Sequence, residues 1–388
     1  MKITSIETFP VRTIGDGAWM FCAVRTDNGL TGYGEFGTGL FKKGLPGLVQ
    51  DLGRTLIGKD PRSVDKHFMD MYRLTRSSSG GATAMAIAGI ELALWDVKGK
   101  DAGVPVYGLM GGPHRDRQRV YWSHLGTYRA MYPELYDKPA LRSMEDLGDC
   151  AAEAVRQGYS AFKTNLIFPG EFPITISSLQ PDSNDQNAPS DVVKHAEEQI
   201  STMRDAVGPD IDICLDINYN FKTEGAIAVG KILEPYDLFW LEIDNQDPKA
   251  LAQIKSSQRT PVCTGEQLLG LRQYRPFLEA MSMDTLKIDV QWQGFSQAKK
   301  VADLAEVYDV NIAPHNYNSH LSSFQSLNLV ASVSNVRIME SDVDSAPWRD
   351  EITTEMPEVD QGFMRIPQNP GWGCDLNEDA ARKYVYEG

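Results

Sequence analysis

The sequence of 388 residues is poor in the residue types that mark several common function classes. It has five cysteines (Cys22, Cys150, Cys214, Cys263 and Cys374), an odd number with no Cys-x-x-Cys spacing. That argues against a disulfide framework or a thiolate metal site and points to a reduced, cytoplasmic protein. Six scattered histidines leave catalysis and metal binding mainly to carboxylates. No run approaches the ~20 apolar residues of a membrane span, and MKITSIETFP lacks the apolar stretch of a secretory signal. No Gly-x-Gly-x-x-Gly follows an early strand, so a dinucleotide-binding sheet has no support. Positive charge is also scarce, with 38 Lys and Arg against 53 Asp and Glu and a net charge of -15. A nucleic-acid partner is therefore excluded, because polyanion binding needs a basic surface. A small anionic substrate is not, since a few cations or a metal can reverse the field in one pocket.

What remains is organised in two rhythms. Residues 1–120 open with two β-rich runs, MKITSIETFPVRT and MFCAVRTDNGLTGYGEF, the second carrying an Asp-Asn-Gly turn. Helical patterns follow over 45–75 and 81–101, predicting a small α+β domain. From Tyr121 to about residue 355, eight short β-rich runs alternate with helical stretches: YWSHLG, AFKTNL, IDICLDIN, LFWLEID, TPVCTGEQ, DTLKIDVQW, VNIAPHN and VRIMESD. That alternation predicts a (β/α) barrel. Residues 167–190, rich in Pro, Ser, Asn and Asp, interrupt it and read as a lid or specificity loop. The tail, 356–388, is polar and is expected to pack back on the first domain.

Barrel strands end at one mouth. Their ends here carry Lys163 and Asn165, Asp216 and Asn218, Glu242, Glu266, Asp289, His315 and Glu340. Steps from Asp216 onward are 26, 24, 23, 26 and 25 residues, one β/α unit each. Five carboxylates packed together without a counter-charge would each cost several kcal/mol, so the pattern calls for a cation. Asp216, Glu242 and Glu266 make an all-oxygen ligand set suited to Mg²⁺. Asp289 and His315, on adjacent strands, can form a dyad that orients the ring as a base. Lys163 adds a fixed positive charge. Together these parts suit abstraction of a proton α to a carboxylate.

On these residues the sequence resembles the enolase superfamily, in its mandelate racemase-like branch of acid-sugar dehydratases and racemases. AIAGIELALWDVKGKDAGVPVYGLMGG resembles the segment joining that family's capping domain to its barrel. The resemblance implies a modified (β/α)₇β barrel under an N-terminal α+β cap and Mg²⁺ held by Asp216, Glu242 and Glu266. It further implies an Asp289–His315 dyad, Glu340 against the substrate carboxylate, and a homo-oligomer. Asn165 and Asn218 become substrate-side polar groups. His124, ending the first barrel strand, faces the pocket, and Trp19 lies where the family places a substrate-contacting loop.

Two departures from the family pattern bear on the reaction. The Lys-x-Lys of two-base racemases reads Lys163-Thr164-Asn165, so the second base is missing. Galactonate dehydratase-like members carry a histidine two residues after the first metal ligand, where this chain has Asn218. A one-base elimination fits better, giving a 2-keto-3-deoxy acid from a small anionic sugar acid. Cycloisomerisation of a sugar lactone, or racemisation, shares the first half-reaction, and a non-catalytic acid-sugar binding protein is the more remote alternative. His320 competes with His315 for the role of base. His315 is preferred because it directly ends VNIAPH, which leaves His320 as a substrate contact.

Overall fold

The computed structural model describes residues 1–37, 42–176 and 187–387. The first unit is an antiparallel meander of β1 (Ile3–Arg12), β2 (Ala18–Thr26) and β3 (Thr31–Phe36). It is followed by α1 (Gly44–Arg54), α2 (Val64–Leu74) and α3 (Gly81–Ala102). The stretch expected as one helical pattern over 45–75 is two helices separated by residues 55–63, within which Pro61 disfavours helical backbone at Asp60. β3 lies directly on α3: a Cβ on Gly32 or Gly34 would strike the backbone of Ala93 and Gly89, so glycine permits the approach.

Eight parallel strands form the barrel: β4 (Arg117–Ser123), β5 (Ala161–Phe168), β7 (Asp212–Asp216), β8 (Trp240–Glu242), β9 (Val262–Thr264), β10 (Thr285–Asp289), β11 (Asn311–His315) and β12 (Met339–Asp342). The short strand β6 (Ile174–Ile176) pairs antiparallel with the end of β5, so the loop expected over 167–190 begins as a hairpin. Its residues 177–186 lie outside the described residues. One main helix follows each of the first seven barrel strands, from Met144–Arg156 to His320–Ala331, and none follows β12. This is the (β/α)₇β order. β12 pairs with β4, and bonds from Ile312 to Asn335 and from Arg337 to Ile312 close the ring.

Three buried carboxylates tie the cap to the rest of the chain, two of them to the barrel and the third to the tail. Glu35 on β3 accepts the Ser319 and Ser322 backbone N–H at 3.0 and 2.9 Å, plus the Ser319 hydroxyl. It thereby caps the helix that follows β11. Glu91 on α3 accepts the Phe295 and Ser296 N–H, each at 2.9 Å, and the Trp95 Nε1–H at 2.8 Å. That caps the helix Phe295–Val307 after β10. Asp96 accepts the Tyr33 and Trp372 N–H at 2.8 and 2.9 Å and pairs with Lys100 at 2.7 Å. The tail adds β13 (Val359–Asp360) and β14 (Phe363–Arg365), the latter antiparallel to β4. It then reaches the cap, where Glu378 pairs with Arg25 at 2.9 Å and accepts from the Tyr33 hydroxyl. The tail thus packs on the barrel as well as on the cap.

Candidate active site

Strand register places the site residues in one layer. Asn165, Asp216 and Glu242 are partners across β5, β7 and β8, and Asp289 is opposite His315 across β10 and β11. Below this layer lies a buried ion network. Lys163 Nζ is 2.8 Å from Glu242, 3.1 Å from Glu340 and 3.3 Å from Asp216. Lys287 Nζ is 3.0 Å from Glu340, 3.3 Å from Glu242 and 2.7 Å from the Tyr121 hydroxyl. Burial opposes the charge on Lys163, but Glu242 and Glu340 overcome it and hold its pKa well above the ordinary lysine range. Burial likewise works against the Glu340 carboxylate, yet Lys163 and Lys287 hold it well below its usual range. Each lysine is paired with at least two carboxylates, which favours its charged form.

Glu340 is fully buried and also accepts from the Ser123 hydroxyl and the Asn316 N–H. It braces the two lysines from beneath the mouth. Lys287 was legible only from strand period: it sits two residues before Asp289, on the same inward face.

The character changes one layer higher. Asp216 accepts the Asn218 N–H at 2.8 Å, and burial raises its pKa. Glu266 Oε2 and Asp244 Oδ1 are buried with no hydrogen-bond partner. Burial is the largest cause pushing these two carboxyls well above the usual range, and neighbouring carboxylates add to it: Asp244 beside Glu266, and Asp216 and Glu242 beside Asp244. Asp244 lies two residues after Glu242, and counting one ionisable group per strand end passed over it.

All-oxygen donors, buried and partly unpartnered, are what a hard divalent cation takes. Among the described residues no three such side chains are already drawn together as a ligand set. Glu242 instead carries both lysines on Oε1 and accepts from Trp240 Nε1 on Oε2 at 2.9 Å. The fit to Mg²⁺ rests on donor chemistry and on the two orphaned oxygens.

On the adjoining wall, Asp289 Oδ2 lies 2.6 Å from His315 Nδ1, while Oδ1 accepts the Trp292 N–H at 2.7 Å. With Nδ1–H donated to Asp289, Nε2 is the basic nitrogen. It lies 3.5 Å from Glu266 Oε2, too far for a good hydrogen bond. The Trp292 ring stands edge-on to His315 at 5.1 Å, with a buried, unpartnered Nε1. Asn165 accepts from Thr127 at 2.9 Å and reaches Asn218 at 3.5 Å, so the two amides span β5 and β7.

The remaining expected residues fall in three places. His124 is partly exposed and pairs with Asp342 at 3.1 Å. His320 is set apart from the carboxylate layer: its Nε2 bonds Asp350 at 2.7 Å, and burial lowers its pKa to about 4. The structure therefore brings His315, not His320, to the carboxylates. Trp19, expected in a substrate-contacting loop, is instead a buried residue of β2 that packs into the apolar core. Both faces of β2 are covered, which leaves no polar, open side for a loop.

Comparison with known proteins agrees with this fold. The family described as "Mandelate racemase / muconate lactonizing enzyme, N-terminal domain" matches residues 6–111. The one described as "Enolase C-terminal domain-like" matches 146–380. A D-xylonate dehydratase of Haloferax volcanii is 29% identical, the match covering 100% of this chain and 90% of that one. A D-galactarolactone cycloisomerase of Agrobacterium fabrum is 27% identical, covering 95% and 91%. A provisionally named L-alanine-DL-glutamate epimerase from Burkholderia xenovorans, bound to magnesium and fumarate, superposes with a TM-score of 0.94. It is 35% identical, with 99% of this chain and 96% of that one covered. With family matches over both the cap and the barrel, the chain belongs to the enolase superfamily, in its mandelate racemase branch.

Proposed function

We propose that the protein is a Mg²⁺-dependent acid-sugar dehydratase that removes the α-proton of a polyhydroxy carboxylate and expels the β-hydroxyl, giving a 2-keto-3-deoxy acid. The observation that carries this reading is His315. Its Nδ1 is tied to Asp289 at 2.6 Å and its Nε2 looks toward the Glu266 carboxylate, the arrangement of an oriented base beside an anion-holding centre. Asp216, Glu242 and Glu266 would hold the cation, which when bound would supply Lewis-acid stabilisation of charge developing on the substrate carboxylate. Lys163 adds fixed positive charge on the same side. His315 takes the α-proton at Nε2, and Asp289 stabilises the imidazolium that forms. The Asn165 and Asn218 amides offer donors and acceptors to substrate hydroxyls.

Relatives named as dehydratases of D-xylonate, D-gluconate and D-galactonate support this chemistry. The cycloisomerase and epimerase relatives keep a second reading alongside it, since all three reactions begin with the same proton abstraction. Asn165, in place of a second lysine base, favours elimination. A cytoplasmic homo-oligomer belongs to the same proposal, and five buried free thiols suit a reducing compartment. Product analysis tests it: Mg²⁺-loaded enzyme with a panel of acid sugars and their lactones should yield 2-keto-3-deoxy acids. Ring-opened or inverted products without loss of water would favour the second reading.

A further inference from the structure

The dehydratase reading leaves one proton donor to assign, because His315 can return the α-proton only to a β-oxygen on its own face of the substrate, in a syn elimination. Hydroxide is a poor leaving group, so the β-oxygen must be protonated as its bond to carbon breaks. Lys163 is locked between carboxylates, and Asn165 and Asn218 cannot supply a proton. A second dyad at the same mouth has gone unused. His124 follows β4, and its Nδ1 lies 3.1 Å from Asp342 Oδ1. Asp342 is 3% exposed and sits two residues beyond Glu340 on β12, opposite Ser123 in register. This repeats the construction of the first dyad, in which Asp289 ends β10 and holds His315 by Nδ1.

Three further facts set His124 in the site. Its φ is 50°, a left-handed conformation that is costly for a non-glycine residue and concentrates at functional positions. The side chain keeps 19% exposure, and Nε2 has no protein partner among the described residues. The Tyr317 ring contacts both imidazoles, 5.7 Å from His124 and 5.0 Å from His315. Tyr128 closes the other side at 4.9 Å.

We propose that His124, oriented by Asp342, is the general acid that protonates the departing β-hydroxyl; this rests on the dehydratase reading above. His124 begins as an imidazolium, with Nδ1–H on Asp342 and Nε2–H toward the leaving oxygen. His315 Nε2 takes the α-proton, and the electron pair of that C–H bond is first held on the substrate carboxylate as an enediolate, then returns to form the new carbon–carbon double bond. The β-carbon–oxygen bond breaks onto oxygen, which takes the His124 proton and leaves as water. The enol then becomes the keto acid with a proton from solvent. His315 ends protonated and His124 neutral, and solvent exchange resets both. Asp342 acts as a positioning residue.

The test separates the two half-reactions in heavy water on the Mg²⁺-loaded protein. His124→Asn should keep α-deuterium uptake within about threefold of wild type while dehydration falls by about 10²–10³. A β-fluoro analogue, whose leaving group needs no proton, should be eliminated by His124→Asn at close to the wild-type rate. His124→Gln and Asp342→Asn should show the same split, the latter more weakly, so a folding failure of one variant leaves the others. The proposal is overturned if dehydration is unchanged, if exchange and dehydration fall together, or if the fluoro substrate is not rescued. Wild-type exchange without dehydration of any acid sugar would overturn the dehydratase reading itself, and this assignment with it.

Discussion

Buried carboxylates occur in two regions of this molecule and are built differently in each. Where the cap meets the barrel and the tail, Glu35, Glu91 and Asp96 take most of their hydrogen bonds from backbone N–H groups. Those donors belong to helix starts and strand edges that the fold fixes in place. At the mouth, Glu266 and Asp244 are less completely shielded from water, yet each keeps a buried oxygen with no partner. Leaving a buried charge unpaired costs several kcal/mol, and a fold does not need to do so. Where the donors are backbone the carboxylate is part of the architecture. Where oxygens are left over, the carboxylates are disposed to receive a ligand.

Breaking the comparison at its functional end should give the largest effect. His315→Asn removes the basic nitrogen, and α-proton exchange should fall by about 10³ or more while the melting temperature moves little. Exchange kinetics and a thermal melt together check this. Next, Glu266→Gln should weaken divalent-cation binding about 100-fold by calorimetry. The cation-free protein should become slightly more stable, because a like-charge contact with Asp244 is removed.

The joint should answer in the opposite sense. Glu35→Ala and Glu91→Ala each strand two backbone donors at a helix start, at a cost of about 1–3 kcal/mol in a urea melt. Cation affinity should stay within about threefold, since neither residue belongs to the donor set. A smaller pH effect sharpens the contrast. Burial pushes the Glu35 carboxyl up from its ordinary 4.5 to about 7, partly offset by its Ser319 and Ser322 bonds. A folded pKa above the unfolded one gives stability that is complete below the unfolded value and lost as pH rises through the folded value. Wild-type stability should therefore decline between about pH 5 and about pH 8 by an increment that Glu35→Ala lacks. The smallest effect belongs to His320→Asn, whose exchange rate should stay within about threefold, because its ring is committed to Asp350.

The contrast also explains which features the sequence made legible. Asp216, Glu242, Glu266, Asp289 and His315 were readable because a barrel repeats at a nearly constant step and each ends an apolar run. The cap–barrel order was readable from the change of rhythm near Tyr121. Glu35 and Glu91 were not: GYGEF and GIELALW look like a strand and a helix with one polar residue each, and nothing local shows which helix start they will meet. Asp244 was hidden by its neighbour Glu242, and Lys287 by the apolar residues around it in LKID. Trp19 was placed on the family resemblance alone, and β2, covered on both faces, holds it in the apolar core.

The central claim is that His315 is the base at an anion-holding mouth. It is tested most directly by α-deuterium uptake from heavy water with a panel of acid sugars and Mg²⁺, comparing wild type with His315→Asn. Uptake that requires the cation and disappears in the variant is the predicted result. Uptake that survives in His315→Asn, or no uptake by wild type with any acid sugar, would contradict it.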